Sequence, residues 1–112
     1  MTKYTVEQLQ QDSLALLHQL IQTPSLSREE DQTAQLIEKF LTEKGVVSER
    51  VSHNVIAYNR FFEETKPTIL LNSHHDTVKP NPGYSRDPFH AEIVDGKLYG
   101  LGSNDAGGCL VA

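Results

Sequence analysis

Residues 68–76 read Thr68-Ile69-Leu70-Leu71-Asn72-Ser73-His74-His75-Asp76, and this stretch decides the predicted fold. Its first half contains the apolar run Ile69-Leu70-Leu71, which is typical of a strand buried on both faces of a sheet. His74 and Asp76 follow at positions i and i+2 of an extended chain, so they should point to one side and His75 to the other. Because ligand sites in open α/β sheets lie beyond the carboxyl ends of strands, we predict a site here.

Two amphipathic helices are predicted before this strand. Thr5-Val6-Glu7-Gln8 matches a capping box, and leucines at helical spacing follow it. They predict a helix over 6–22 that ends at Thr23-Pro24. A second capping box at Ser27-Arg28-Glu29-Glu30 predicts another helix, which ends at the left-handed cap Gly45.

The hydrophobic period then changes to that of strands and turns. Strands are predicted over 46–51, 54–58 and 68–72. Residues 79–88 hold three prolines and one glycine, so we expect an irregular loop there. Asp95-Gly96 predicts the turn of a hairpin over 91–99, and a helix is expected to begin at Ala106. This order of elements predicts an α/β fold in which helices cover a sheet.

Composition and charge exclude several classes of function. The 112 residues carry a net charge of −5 and no cluster of basic side chains, so nucleic acid is not an expected partner. Apolar runs are far shorter than the ~18 residues that span a bilayer, and no secretory signal opens the chain. The single cysteine, Cys109, excludes an internal disulfide and fits a reducing compartment. These features predict a cytoplasmic protein without membrane partners.

Two short motifs offer residues for metal chemistry. A metal-bound imidazole commonly donates its other ring N–H to a carboxylate, and His74 with Asp76 can supply such a pair. Asp105 follows the glycine-rich residues 100–104 and could bridge two cations about 3.5–4 Å apart. Considered alone, Asp105 is better interpreted as the cap of the helix expected after it. A phosphate-binding turn is excluded because the Asp105 carboxylate would lie where the phosphate belongs.

Three segments of the chain form one pattern when taken together: Ser73-His74-His75-Asp76-Thr77-Val78, Asp87-Pro88-Phe89 and Asp95-Gly96-Lys97-Leu98-Tyr99-Gly100-Leu101-Gly102-Ser103-Asn104-Asp105. This pattern resembles the signature of the zinc-dependent aminoacylase, carboxypeptidase and deacetylase family, which includes acetylornithine deacetylase and succinyl-diaminopimelate desuccinylase. The chain departs from the family at Lys79, where proline is usual, at Leu101, where many members have arginine, and at Ala106-Gly107. These departures bear on the subfamily and its substrate more than on the metal site.

The resemblance implies that residues 1–112 are the amino-terminal portion of a three-layer α/β/α catalytic domain. The rest of that domain and a lid or dimerisation domain would be absent from this chain. His74 would bind one zinc ion, Asp76 would orient His74 in a catalytic role, and Asp105 would bridge two zinc ions. Cobalt and manganese are alternative metals. The general base and the remaining ligands would lie beyond residue 112, so the chain alone is expected to be inactive.

The implied activity of the longer protein is hydrolysis of the amide bond of a small N-acylated amino acid, with acetylornithine the first candidate. A homodimer is considered for that longer protein. Succinyl-diaminopimelate desuccinylase, aminoacylase or dipeptidase activity are alternatives within the family. A non-catalytic binding or regulatory module on the same scaffold is the alternative from another class.

Other titratable residues have structural interpretations. His75 should face away from the site, and His18, His53 and His90 are expected to be ordinary polar or partly buried side chains. Glu63-Glu64 is excluded as a catalytic glutamate pair because it precedes His74 in an expected surface loop.

Overall fold

A computed structural model describes residues 3–112, leaving the first two residues of the predicted domain outside the described part. The elements, in chain order, are α1 Val6–Gln22, α2 Asp31–Glu43, β1 Ser48–Val51, β2 Asn54–Ala57, β3 Glu92–Val94, β4 Lys97–Tyr99 and α3 Gly108–Val111. This mixture of helices and strands agrees with the predicted α/β class. None of the described helices is long and apolar enough to cross a membrane.

Helix α1 has the bounds that the sequence predicts. The Thr5 hydroxyl accepts a hydrogen bond from the Gln8 amide at 3.1 Å, and the Gln8 side-chain oxygen accepts one from the Thr5 amide at 2.9 Å. The capping box therefore satisfies two backbone donors that a helix start leaves unpaired. The apolar stripe of α1 is buried at Leu16, Leu17, Leu20 and Ile21.

Helix α2 begins later than predicted, and the capping box at Ser27 is wrong. The helix starts at Asp31, and its cap residue Glu30 makes no side-chain capping bond. Arg28 has a left-handed φ of 74°, which no helix can include, so the chain turns once more before α2 begins. The far end agrees with prediction, since Gly45 follows the cap residue Lys44 and has a left-handed φ of +76°.

The strands form two separate antiparallel hairpins. Ser48 pairs with Ala57 at the open end of β1–β2, and Glu92 pairs with Tyr99 at the open end of β3–β4. Asp95 and Gly96 both have positive φ, at 51° and 73°, as a two-residue turn of the predicted type requires. The hairpin prediction over 91–99 is therefore confirmed.

The predicted buried strand over 68–72 is wrong for the described residues. No strand is formed there, and the side chains of Ile69, Leu70 and Leu71 are 87%, 84% and 90% exposed. A strand is stabilised by hydrogen bonds to a neighbouring strand, but both hairpins pair only within themselves. The apolar pattern predicts a tendency to form a strand and carries no information about the partner.

Helix α1 forms the centre of the packing. It contacts α2 on one side and the turn Ser103–Gly107 with α3 on the other. Leu17 and Ile21 of α1 form a cluster with the buried Ala91, against which Leu98 and Val111 also pack. This cluster fixes the glycine-rich segment that carries Asp105 relative to the rest of the chain.

Candidate functional site

The ring of His74 lies between two aspartates. Its Nδ1 atom is 3.2 Å from the backbone oxygen of Asp76 and 3.1 Å from the Asp76 Oδ1 atom. Its Nε2 atom is 3.0 Å from Oδ1 of Asp105, a residue 31 positions further along the chain. His74 and Asp76 therefore share one side of the extended segment, as their spacing predicts, and Asp105 joins them there.

The pKa of His74 is raised above its ordinary value. The largest cause is the hydrogen bond to the Asp76 backbone carbonyl; partial burial opposes it, and the Asp105 carboxylate adds to it. Both contacts require a proton on the ring nitrogen concerned, because a carbonyl or carboxylate oxygen only accepts. The geometry of these two contacts thus favours the doubly protonated imidazolium.

We expect Asp105→Asn to lower the pKa of His74 towards its ordinary value. A proton on His74 stabilises the folded chain at pH below the unfolded pKa of histidine, and this contribution is lost as pH rises through the higher folded pKa. The variant should therefore be less stable than the unmodified chain at pH values below the folded pKa of His74. At alkaline pH the two proteins should be equally stable. Ring resonances of His74 followed by NMR across a pH titration provide the measurement. Asp87→Asn, at a carboxylate with no contact to the His74 ring, is the control, and an equal pKa decrease there would contradict the assignment.

His75 points away from this site, as predicted. Its Nδ1 atom is 2.7 Å from Oγ1 of Thr33, and its Nε2–H donates to the backbone oxygen of His53 at 2.9 Å. The His53 ring in turn is 2.5 Å from a carboxylate oxygen of Glu30. His75 therefore attaches the segment to α2 and to the turn between β1 and β2, and both of its ring nitrogens are engaged.

Ser25 holds the backbone on both sides of Asp76. Its hydroxyl donates to the carbonyl of His75 at 2.8 Å, and its own carbonyl accepts from the amide of Thr77 at 2.7 Å. These two groups belong to the two peptide bonds that flank Asp76. Ser25 is only 2% exposed, so water does not compete for the bonds. The contact spans 50 residues, which explains why sequence reasoning did not assign Ser25 a role.

We expect Ser25→Ala to lower the free energy of unfolding by about 1–3 kcal/mol, because the His75 carbonyl loses its donor in a partly buried position. The bond from the Thr77 amide is made by backbone and persists, so the segment should loosen without detaching. Denaturant unfolding gives the stability, and the NMR shifts of the His74 ring report the geometry. Ser27→Ala, at an exposed serine two residues away, should change stability by less than about 0.5 kcal/mol. Equal effects of the two substitutions would refute the role of Ser25.

Asp105 is positioned by glycines on both sides. Gly102 has a φ of +77°, and a Cβ atom there would lie 2.7 Å from the Thr77 methyl carbon. Its carbonyl accepts a hydrogen bond from the Gly107 amide at 2.8 Å, which closes the turn around Asp105. Asp105 itself is non-helical, with φ −121° and ψ 91°, and a cis peptide bond joins it to Ala106.

The structure does not support the alternative in which Asp105 caps the following helix. Helix α3 begins at Gly108, two residues later than predicted, and no side chain caps it. Oδ1 of Asp105 instead faces the His74 ring.

A cavity of about 530 Å³ opens beside His74 and Asp105. Three parts of the chain form its wall: residues 74–78, the irregular loop before β3 and the glycine-rich segment. They include Tyr84, Arg86, Tyr99 and Asn104. The volume is within the range of sites that bind small molecules. The candidate site is therefore a cleft with chemically active side chains at one part of its wall.

The side chains present fit part of a metal site. The Nε2 atom of His74 and Oδ1 of Asp105 are 3.0 Å apart, somewhat less than the roughly 3.3–3.6 Å between two tetrahedral ligands that each lie about 2.0–2.2 Å from one zinc ion. Within residues 3–112, however, no group of three or more His, Cys, Asp or Glu side chains could hold a metal ion. Further ligands would have to come from outside the described residues.

Comparison with known proteins identifies relatives of the chain. A succinyl-diaminopimelate desuccinylase of Cereibacter sphaeroides is 35% identical over 99 residues, covering 84% of this chain and 26% of the relative. Enzymes of the same name from Methylorubrum populi and a Caulobacter species are 33% and 30% identical, and cover 91% and 100% of this chain. They are themselves covered to 29% and 30%. No family model matches the chain.

The chain belongs to the aminoacylase, carboxypeptidase and deacetylase family of metallopeptidases, the family of these desuccinylases. It spans between a quarter and a third of the length of the curated relatives it matches.

Proposed function

We propose that this chain supplies His74, Asp76 and Asp105 to the two-metal site of an amide hydrolase, within a longer protein that cleaves small N-acylated amino acids. The observation that carries the proposal is the placement of the His74 ring between Asp76 and Asp105 at the mouth of a cavity. Residues 1–112 would then be the amino-terminal portion of a three-layer catalytic domain in a cytoplasmic enzyme, and the longer protein would be a homodimer.

In this proposal each of the three residues has its own role. Asp76 would accept the Nδ1–H of His74 and so leave Nε2 as the nitrogen that binds a metal ion once it has lost its proton, while Asp105 would contribute carboxylate oxygens from the facing segment. Zinc, or cobalt or manganese in its place, polarises an amide carbonyl and lowers the pKa of bound water when such ions are held in a site of this kind. The general base would come from residues beyond 112.

The substrate has two leading candidates. Acetylornithine is favoured by the sequence of residues Gly100 to Asp105, which resembles the acetylornithine deacetylase branch of the family. Succinyl-diaminopimelate is favoured by the names of the relatives described above. Both are N-acylated amino acids, so the reaction is the same in either case and the acyl group distinguishes them.

Metal content and hydrolysis of both substrates by the complete product of the coding sequence test the proposal. We expect about two metal ions per chain in that product, and neither catalytic turnover nor more than weak zinc binding in residues 1–112 alone. Asp76→Asn should reduce metal affinity or activity by about 10- to 100-fold, because a partner of a metal-bound histidine is lost. His90→Ala, at an exposed histidine that does not line the cavity, is the control.

Catalytic turnover by the 112-residue chain alone would contradict the proposal that the general base and the remaining metal ligands lie beyond residue 112. A complete product that binds no metal would instead favour the alternative of a non-catalytic binding or regulatory module.

A further inference from the structure

Arg86 is the one lysine or arginine among the described residues that line the cavity beside His74. It lies in the irregular loop before β3, and its side chain is 38% exposed. The mechanism proposed above gives it no role. Its position in the same cleft as His74 and Asp105 raises the question of which ligand group it would contact.

Two neighbours fix the orientation of Arg86. Its Nη1 atom donates to a carboxylate oxygen of Glu92 at 2.6 Å, and its guanidinium carbon lies 3.9 Å from the centre of the Tyr99 ring. Tyr99 lines the cavity, whereas Glu92 does not. The arginine is therefore tied to a residue outside the cavity wall and stacked on a residue within it, which reduces the entropy lost when it binds a ligand.

The guanidinium retains unused donors. It has five N–H groups, and within the described part of the chain only Nη1 has a hydrogen-bond partner. The planar group presents pairs of parallel N–H bonds that match the two oxygens of a carboxylate. A ligand carboxylate in the cavity is the partner that best fits this geometry.

The negative groups of the cavity limit which anions can bind. Asp76, Asp87 and Asp105 line it too, and Oδ1 of Asp87 accepts the Phe89 amide at 2.9 Å. A metal ion at His74 would offset the charge of Asp105, and the inference rests on the proposed function in this respect. A compact carboxylate that forms a bidentate pair with Arg86 is then compatible with the site.

We propose that Arg86 determines specificity by binding a free carboxylate of the N-acylated amino acid. That carboxylate belongs either to the acyl chain, as in a succinyl group, or to the α-carbon of the amino acid. Both sources offer the same chemistry to the guanidinium, and substrates that carry only one of the two distinguish them.

The test uses the complete, metal-loaded protein and three substrates. An N-acetyl amino acid has only the α-carboxylate, an N-succinyl amino acid amide has only the acyl carboxylate, and an N-acetyl amino acid amide has neither. We expect Arg86→Gln to raise KM about 10- to 100-fold for the substrate whose carboxylate Arg86 binds, with a smaller change in kcat. The substrate with neither carboxylate should be unaffected, and Arg86→Lys should restore part of the loss. Arg60→Gln, outside the cavity, is the control.

Glu92→Gln is a second variant, and we expect it to change KM in the opposite direction from Arg86→Gln. It keeps a hydrogen-bond acceptor for Arg86 but removes the charge that partly neutralises the guanidinium, so KM for the same substrate should fall. A merely structural Arg86–Glu92 pair would give no such decrease. Equal KM changes for all three substrates in Arg86→Gln, or an unchanged KM in Glu92→Gln, would overturn the proposal.

The failure of this inference is distinguishable from failure of the proposed function. If the complete protein hydrolyses none of the three substrates, the proposed function fails, and calorimetric binding of succinate against succinamide still tests Arg86. If the protein binds succinate more tightly than succinamide and Arg86→Gln loses this preference, the carboxylate site is supported even when no hydrolysis is observed. Equal binding of succinate and succinamide by the unmodified protein overturns it.

Discussion

Ile21→Ala is expected to lower the free energy of unfolding by about 2–5 kcal/mol, the range for removing a large aliphatic side chain from a core. Ile21 is only 4% exposed and belongs to the cluster that holds the glycine-rich segment against α1. A Cβ atom at Gly100 would lie 2.4 Å from the Ile21 Cγ2 atom and within 3.4 Å of two further carbons of the same side chain. Gly100→Ala should therefore cost about 1–3 kcal/mol through overpacking.

The two substitutions should compensate each other in part. In the double variant the Gly100→Ala methyl group enters space that Ile21→Ala has vacated, so the combined loss should be smaller than the sum by about 0.5–3 kcal/mol. Denaturant unfolding of the four proteins gives this coupling energy. Additive losses would mean that the backbone at Gly100 moves away from α1 and that close packing does not explain this glycine.

Gly102→Ala is expected to lower the free energy of unfolding by about 2–5 kcal/mol and to displace Asp105 from His74. About 1–2 kcal/mol follows from the left-handed φ of +77°, which costs any residue with a Cβ atom. The remainder follows from the contact of 2.7 Å with the Thr77 methyl carbon, which overpacks the segment. Unfolding measurements together with the NMR shift of the His74 ring report both consequences.

Gly96→Ala separates these two costs. Gly96 has nearly the same φ, +73°, but nothing lies within 4 Å of its Cβ position, so its substitution measures the conformational cost alone. Thr77→Ser in combination with Gly102→Ala removes the methyl group and should recover the packing cost. An equal loss of stability in Gly96→Ala and Gly102→Ala would show that Thr77 plays no part.

Local patterns predict the elements whose bonds are local. The bounds of α1 follow from Thr5 and Gln8, which are three residues apart, and the β3–β4 turn follows from the positive φ that Asp95 and Gly96 tolerate. The start of α2 was mispredicted because the preceding residues make distant contacts. Leu26 forms a parallel bridge with Thr77, and the left-handed Arg28 follows it. No periodicity near Ser27 carries that information.

The candidate site also has one part that follows from a local pattern and another part that depends on distant contacts. The shared direction of His74 and Asp76 follows from the two-residue period of extended chain. The approach of Asp105, 31 residues away, follows from the packing of α1 on the glycine-rich segment, and the sequence suggested it only through resemblance to a family. The sequence assigns no role to Ser25 or Arg86, because one acts through a buried contact and the other through its place in a cavity wall.

The exposed segment from Ile69 to Leu71 has a consequence for handling the protein in solution. Three consecutive apolar side chains, whose backbone groups have no hydrogen-bond partner within residues 3–112, are a template on which a second chain can add a strand, and such addition leads towards cross-β aggregates. Lys66 and Pro67 precede the segment, with only Thr68 between them and Ile69, and their charge and missing amide act as gatekeepers against that growth. The rate of aggregation should therefore rise with protein concentration.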